Sequence, residues 1–407
     1  MTSVGAGGEP AAEAQGGTST WSPERYMRSG FVLTLVLRLL TSTLLVVVPL
    51  YAHDVLGASE AQLGVYILLL WIGNAAGVLL AVWAIAKQSA SSLLGFLVLA
   101  LSTVSLAFGR AGTEAYALMA LAGIGMGLAA PFLTALMHLD SASQSPFQGM
   151  GLNSVALGIG IVAGPLLASI LLYFYSFEAS FLALGAFSLF GAAVTASRWR
   201  RRERSTQRYR LSVQHWLRAF RNRAFTRAFL VNLLYSLLLP AYLSFGGTYV
   251  EVRFGFTATE ALLVFAAVFA GSTLVRAYAV RIADRIDRLD RLLTLSVGLL
   301  PASLLAVALA PSWYVLVLGL ALFSLPHALV PPVNYYHALK AVDGDTLMNA
   351  SYAFQASSGV AELLVPATAV VVISAVGLSG LYLGMVPFAV AALVLVLLRA
   401  RRPATPA

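Results

Sequence analysis

Cysteine is absent from all 407 residues, which excludes disulfides, thiolate metal sites and a cysteine nucleophile. Charge is scarce as well. Asp, Glu, Lys and Arg make up 11% of the chain, against roughly 25% in a soluble globular protein, too little polar surface to face water on all sides. Lysine is nearly missing: Lys87 and Lys340 stand beside 24 arginines, a bias ascribed to the genome and not to function. The five histidines are dispersed and no carboxylate cluster stands outside an Asp/Arg loop near residues 284–291, so the grouped acids, bases or metal ligands expected of a membrane-embedded enzyme are not evident. No Gly-Lys-Ser/Thr loop is present either, which disfavours ATP-driven transport.

What the chain has is apolar residue, 59% of it. Continuous apolar runs fall near residues 28–51, 62–84, 92–109, 114–137, 148–174, 179–197, 227–250, 259–281, 292–310, 313–336, 348–374 and 379–398. Runs of about 20 apolar residues are membrane spans, and continuous rather than alternating hydrophobicity specifies helices and not a barrel. The expectation is an all-α membrane protein of twelve transmembrane helices in two pseudo-symmetric six-helix bundles. Residues 1–27 read as a disordered cytoplasmic tail, 28–197 as the N-terminal bundle, 198–226 as a basic linker, 227–398 as the C-terminal bundle and 399–407 as a cytoplasmic tail. The run from Phe31 is too late and too long for a signal peptide and reads as a retained first span.

Placing the N-terminus inside puts 22 of the 26 basic residues in cytoplasmic segments, as the positive-inside rule requires. Both termini are then cytoplasmic, in an inner or plasma membrane. Half of those 22 lie between Arg198 and Arg227. There Val213, Trp216, Leu217, Phe220 and Ala224 recur at helical spacing, which predicts an amphipathic helix along the inner membrane face, in contact with lipid. The positive-inside effect accounts for the arginines, so no nucleic acid is expected.

The two halves overlay at a nearly constant shift. Gly57, Ser59 and Gly73 recur as Gly255, Thr257 and Gly271, 198 positions later. His138 recurs as His337 at 199, and Pro165 as Pro366 at 201. Duplication of a six-span unit is a recurring plan for secondary transporters, with the substrate site at mid-membrane between halves.

Two motifs carry a family resemblance, which covers about residues 28–400. After the eighth span, Val280-Arg281-Ile282-Ala283-Asp284-Arg285-Ile286-Asp287-Arg288 is similar to the loop signature G-x-L-A-D-R-x-G-R of the major facilitator superfamily, with Val280 and Asp287 in place of its glycines. In the fifth span, Gly160-x-x-x-Gly164-Pro165 resembles the G-x-x-x-G-P motif of that superfamily's antiporters. The resemblance implies a monomeric secondary transporter of the efflux branch, needing no cofactor or metal, in which spans 1, 4, 7 and 10 line a cavity. It also implies gating roles for Asp284, Arg285, Arg288, Gly160, Gly164 and Pro165. The plainer reading of Gly160 and Gly164 is close helix packing, which also suits Gly123, Gly125 and Gly127 in an apolar span with no preceding strand.

Ionisable groups inside the bilayer need a reason. Glu362 is the one carboxylate well inside a predicted span. Protonated it is inexpensive there, whereas ionised it needs a cation or water, so it is the candidate proton-coupling site, the alternatives being a structural partner for a buried base or a residue of a crevice open to the cytosol. Arg38, two turns from the inner face, either holds an anionic substrate group, acts as the counter-charge to Glu362, or snorkels to headgroups. Arg276 lies nearer its span end, where snorkelling is expected. Asn232, Tyr235 and Tyr242 in span 7, with His327, Asn334 and Tyr335 in span 10, are candidate substrate-binding residues, and His138 and His337 read as loop anchors. Aromatics with scattered amides suit a small amphiphilic molecule. The expected function is therefore proton-coupled export of such compounds by alternating access. Uptake of a sugar or organic acid, a membrane enzyme, and a non-transporting sensor are the alternatives.

Overall fold

A computed structural model of the chain describes residues 23–83, 88–109, 112–141, 146–199, 213–282, 286–342 and 344–400. Every regular element among them is a helix. In the N-terminal half these are α1 (Pro23–Asp54), α2 (Glu60–Trp83), α3 (Gln88–Phe108), α4 (Gly112–Ser141), α5 (Pro146–Phe174) and α6 (Phe177–Trp199). A short α7 (Val213–Arg221) leads into α8 (Arg223–Pro240), which runs through a π turn at Ala241–Phe245 into α9 (Gly246–Phe254). Then follow α10 (Ala258–Arg281), α11 (Ile286–Ala308), α12 (Trp313–Lys340) and α13 (Gly344–Ala400).

Helix is the structure that these runs must adopt, because it satisfies the backbone polar groups within the segment where lipid offers no partners. Buried hydroxyls obey the same constraint by bonding back to their own helix. Thr41 Oγ1 donates to Leu37 O at 2.8 Å and Thr43 Oγ1 to Leu39 O at 2.7 Å.

Two elements depart from one helix per crossing. Helices α8 and α9 make a single span, joined where Pro240 precedes the π turn. Helix α13 has 57 residues, about 85 Å of straight helix, far more than a hydrocarbon core of about 30 Å. It breaks at Gly377, whose φ of 72° and ψ of 179° suit glycine alone, so α13 supplies two crossings. The total is twelve, six before α7 and six after it. The duplication is visible in the backbone too. Gly57 and Gly255 both adopt left-handed φ, 65° and 70°, and each is followed by a matching cap. Gln62 Oε1 accepts from the Ser59 amide at 2.8 Å, and Glu260 Oε2 from the Thr257 amide at 2.8 Å, a capping box in each copy.

The halves meet along two seams. Helix α5 lies on α10, where Ser169 Oγ donates to Thr259 O at 3.0 Å. Helix α2 lies on the first part of α13, where a Cβ on Gly64 would come 3.2 Å from Pro366 O. Within the N-terminal half, Gly123 and Gly127 face the Leu70 and Asn74 carbonyls of α2 with no room for a side chain. These glycines are therefore packing residues.

The linker helix corrects an expectation. Its helix stops at Arg221, and Asn222 caps the next one, accepting from the Ala224 and Phe225 amides at 2.8 and 3.3 Å. Ala224 thus belongs to α8. Trp216, Ala219 and Phe220 pack on Phe225, Ala338 and Phe354, so α7 is docked on the ends of α8, α12 and α13, while Leu217, 60% exposed, turns outward with Gln214, Arg218 and Arg221.

Candidate functional site

A cavity of about 330 Å³ lies between the halves, within the range of small-molecule sites. Its wall is built from the same helix faces in each copy. On α1 it uses Thr34, Leu37, Arg38, Thr41, Ser42 and Leu45. On α8 and the π turn it uses Asn232, Tyr235, Ser236, Leu239, Pro240 and Leu243, each 198 positions after its counterpart. On α5 it uses Ser154, Leu157 and Ile161, and on α13 Gln355, Ser358 and Glu362, each 201 later. The lining runs from mid-span towards the end of the molecule that carries the start of α1 and the finish of α13. At the opposite end, Val46, Val47, Val48 and Leu50 are buried, and Gly247 of α9 sits so close that its Cβ would meet Val46 Cγ1 at 3.4 Å. The structure is closed on that side.

Chemistry on the two matched walls is not matched. Glu362 occupies the position of Ile161, and Arg38 that of Ser236. Arg38 and Glu362 feel each other's charge across the cavity without forming a direct ion pair. Arg38 is held at mid-wall by close packing behind it. A Cβ on Gly160 would lie 2.8 Å from Arg38 Cβ, and Ser42 Oγ donates to Gly160 O at 3.1 Å. Gly164 meets Ser42 and Thr43 one turn further along. Gly160 and Gly164 are therefore the contact surface between α5 and α1, with Pro165 beside it inside α5.

Arg276 was expected to snorkel, and the structure overturns this. It is 3% exposed and points inward, donating through Nη2 to His327 O at 2.6 Å and through Nη1 to Ser154 Oγ at 2.8 Å. The reason lies on α12. Pro331 sits four residues after His327 and has no N–H to give its carbonyl, so that acceptor is free for the guanidinium. Arg276 thereby ties α10 and α12 of one half to α5 of the other.

Tyr235 Oη and His327 Nδ1 share a 2.6 Å hydrogen bond, and Asn232 Nδ2 donates to Ser357 Oγ at 2.8 Å. Tyr335 lines the cavity and is bonded to Ser351. Two expected members lie elsewhere. Tyr242 is turned into the C-terminal half, stacked on Phe323 at 3.9 Å between ring centroids and bonded to Ser303 Oγ at 2.7 Å. The matched position in the first half, Leu44 on α1, is likewise buried and off the wall, so Tyr242 sits at a register that faces its own bundle in both copies. Asn334 precedes Tyr335 by one position, about 100° around the helix. It opens on a separate pocket of about 220 Å³ with Arg227, His337 and Lys340. His337 Nε2 is 2.7 Å from Asp290 Oδ1, joining the ends of α12 and α11. Asp284 and Arg285 lie outside the described residues, as do the side chains of Arg288 and His138.

The wall carries unpartnered polar atoms. Thr34 Oγ1, Trp71 Nε1, Asn232 Oδ1, Ser244 Oγ and His327 Nε2 are buried without a hydrogen-bond partner, and all five residues line the cavity. Buried polar groups are ordinarily satisfied, so this concentration of donors and acceptors sets the cavity wall apart. Ser154, Ser236, Gln355 and Ser358 are wall residues that sequence reasoning missed. The signal was available, since applying the 198 and 201 shifts to the faces of Arg38 and Glu362 leads to them.

Comparison with known proteins agrees with this architecture. The description Major Facilitator Superfamily matches residues 30–342. No curated protein sequence matches the chain. Among solved structures, the nucleoside transporter NupG superposes with a TM-score of 0.71 at 12% identity, covering 93% of this chain and 100% of its own. A POT family transporter in complex with a thioalcohol-conjugated peptide gives 0.71 at 14% identity, covering 92% and 95%. At such identities the likeness is one of fold.

Proposed function

From the premise that this chain belongs to the Major Facilitator Superfamily, we propose that it exports small amphiphilic organic compounds in exchange for protons. Membership makes it a multi-pass membrane protein and a secondary transporter rather than an enzyme. The observation that carries the proton-coupled reading is the placement of Glu362. It is a half-buried carboxylate on a mid-span cavity wall, across from Arg38 and not paired to it. A carboxylate so placed has no ion-pair partner to fix its charge. It exchanges charge states when a proton or a cationic substrate group arrives. Binding that needs Glu362 ionised, and return that needs it protonated, would couple the two fluxes.

The cavity suits an amphiphile. Leucine, proline and aromatic side chains form nearly half of the wall, and the five unpartnered polar atoms supply orientation. Export is favoured by the Gly160-x-x-x-Gly164-Pro165 segment, which resembles the antiporter motif and here sets the contact of α5 on α1 behind Arg38. One observation supports a second reading. Arg38 and Arg276 both border the cavity against the single carboxylate of Glu362, a balance that suits a substrate with an anionic group, such as an organic acid taken up with protons.

The test is full-length protein in liposomes holding a pH-sensitive dye. Amphiphilic cations, organic anions, sugars, nucleosides and short peptides are offered under an imposed proton gradient. Wild type should show proton flux evoked by an amphiphilic compound, and Glu362→Gln should abolish it. Substrate movement with no proton flux, unchanged by the substitution, would reject coupling through Glu362. Proton influx accompanying an organic anion would establish uptake.

A further inference from the structure

The closed end of the molecule holds a group that transport chemistry at the cavity does not use. Glu251, on α9 of the C-terminal half, is 8% exposed, and its Oε2 is buried with no hydrogen-bond partner. Opposite it, at the last turn of α1 in the N-terminal half, stand His53 and Asp54. One ligand atom from each of these three residues lies within 4.8 Å of the others. Among the described residues neither carboxylate is paired with a lysine or arginine. The sole ion-pair contact here is His53 Nδ1 to Asp54 Oδ1 at 2.9 Å.

We propose that His53, Asp54 and Glu251 form a site for a divalent first-row transition metal ion, of the Zn²⁺ class, which latches the two halves together at the closed end. An orphaned buried carboxylate oxygen beside a second carboxylate is costly in free energy, and a cation between them removes that cost. Imidazole nitrogen with two carboxylate oxygens is a ligand set for zinc-like ions rather than for magnesium or calcium. Tetrahedral ligands at about 2.0–2.2 Å from zinc are about 3.4 Å apart, so the three side chains need close by little more than an ångström. His53 and Asp54 are each 35% exposed at the side chain, which gives the ion a route in and leaves the fourth position to solvent.

The site exists only while the halves are together. Its ligands come from α1 and α9, one to two turns beyond the contact of Gly247 with Val46 and Leu50, where the two halves part when that end opens. A bound ion therefore favours the conformation seen here. The site rests on this geometry alone, and only the consequence for the cycle rests on the alternating-access reading.

The experiment is a calorimetric titration of full-length protein in detergent with Zn²⁺, and with Mg²⁺ as comparison. We expect one saturable Zn²⁺ site per chain, weakened at least about tenfold by His53→Ala and by Glu251→Gln. Glu114→Gln, an exposed acid at the same end, should leave it unchanged. A second readout does not depend on those variants folding. In a chain free of cysteine, spin labels at Phe108→Cys and Leu309→Cys report the separation of the halves. Zn²⁺ should collect the distances into the shorter population, and a chelator should reverse this. No saturable binding, binding indifferent to both ligand substitutions, or a distance distribution that ignores Zn²⁺ overturns the latch. No substrate or proton gradient enters either measurement, so failure of the latch is separable from failure of the transport reading.

Discussion

At the scale of single residues, the cavity is organised by where backbone acceptors are left free. His327 shows this best, since its side chain meets Tyr235 while its carbonyl, released by Pro331, takes Arg276. Tyr235→Phe removes one partner of a buried pair and should cost about 1–3 kcal/mol, read as a fall in thermal unfolding temperature of the solubilised protein. Adding His327→Leu should recover much of that loss, because removing both partners leaves no unsatisfied group. Two losses that simply add would show that the pair is not coupled. Legibility at this scale was uneven. Glu362 and Arg38 stood out because charge in an apolar run is rare, and the structure places both on the cavity wall. Arg276 was misread, since its depth alone suggested headgroups. Only the proline four residues after His327, on another helix, explains its inward turn.

At the scale of elements, α5 on α1 is the contact that most constrains the site. A side chain at Gly164 would run into Ser42, Thr43 and the Leu39 carbonyl. Gly164→Val should therefore force α5 away from Arg38, at about 1–3 kcal/mol of overpacking, and reduce transport with it. Gly359, on α13, has nothing within 4 Å of where a Cβ would stand. Gly359→Ala should stabilise its helix by about 0.5–1 kcal/mol. Comparing the two variants by thermal unfolding separates close approach from a general sensitivity of glycines, and equal effects would refute the packing account. The spans themselves were legible because a bilayer demands long apolar runs. The π turn at Ala241–Phe245 was not, since its residues are as apolar as their neighbours. Tyr242, expected on the cavity face, is instead buried against Phe323, as its counterpart Leu44 is buried in the first half.

At the scale of the whole molecule, the wall opens towards the end bearing the start of α1 and the finish of α13, and the far end is shut. Introduced cysteines should report this directly. Gln355→Cys, on an exposed wall residue, should react readily with a soluble maleimide reaching the cavity from its open side. Val47→Cys, at 0% exposure, should react slowly until substrate and a gradient drive the cycle. Equal labelling of the two at rest would mean that the closed end is not closed in the membrane. Twofold architecture was legible in the sequence from a handful of spaced glycines, prolines and histidines. The cavity was not, because its wall depends on how each helix is rotated about its own axis.

The paired walls also have a genealogical meaning. Positions 34, 37, 38, 41, 42 and 45 and their counterparts 198 later are what two copies of one ancestral surface would leave if the halves arose by duplication. Their differences are then a record of divergence after duplication, written at known coordinates. Ser236 and Ile161 mark where the other copy carries Arg38 and Glu362. A chain bearing Ser236→Arg and Ile161→Glu would restore a twofold-symmetric charge pattern. Comparing it with the natural chain would ask whether directionality in such a transporter depends on the halves having ceased to be alike.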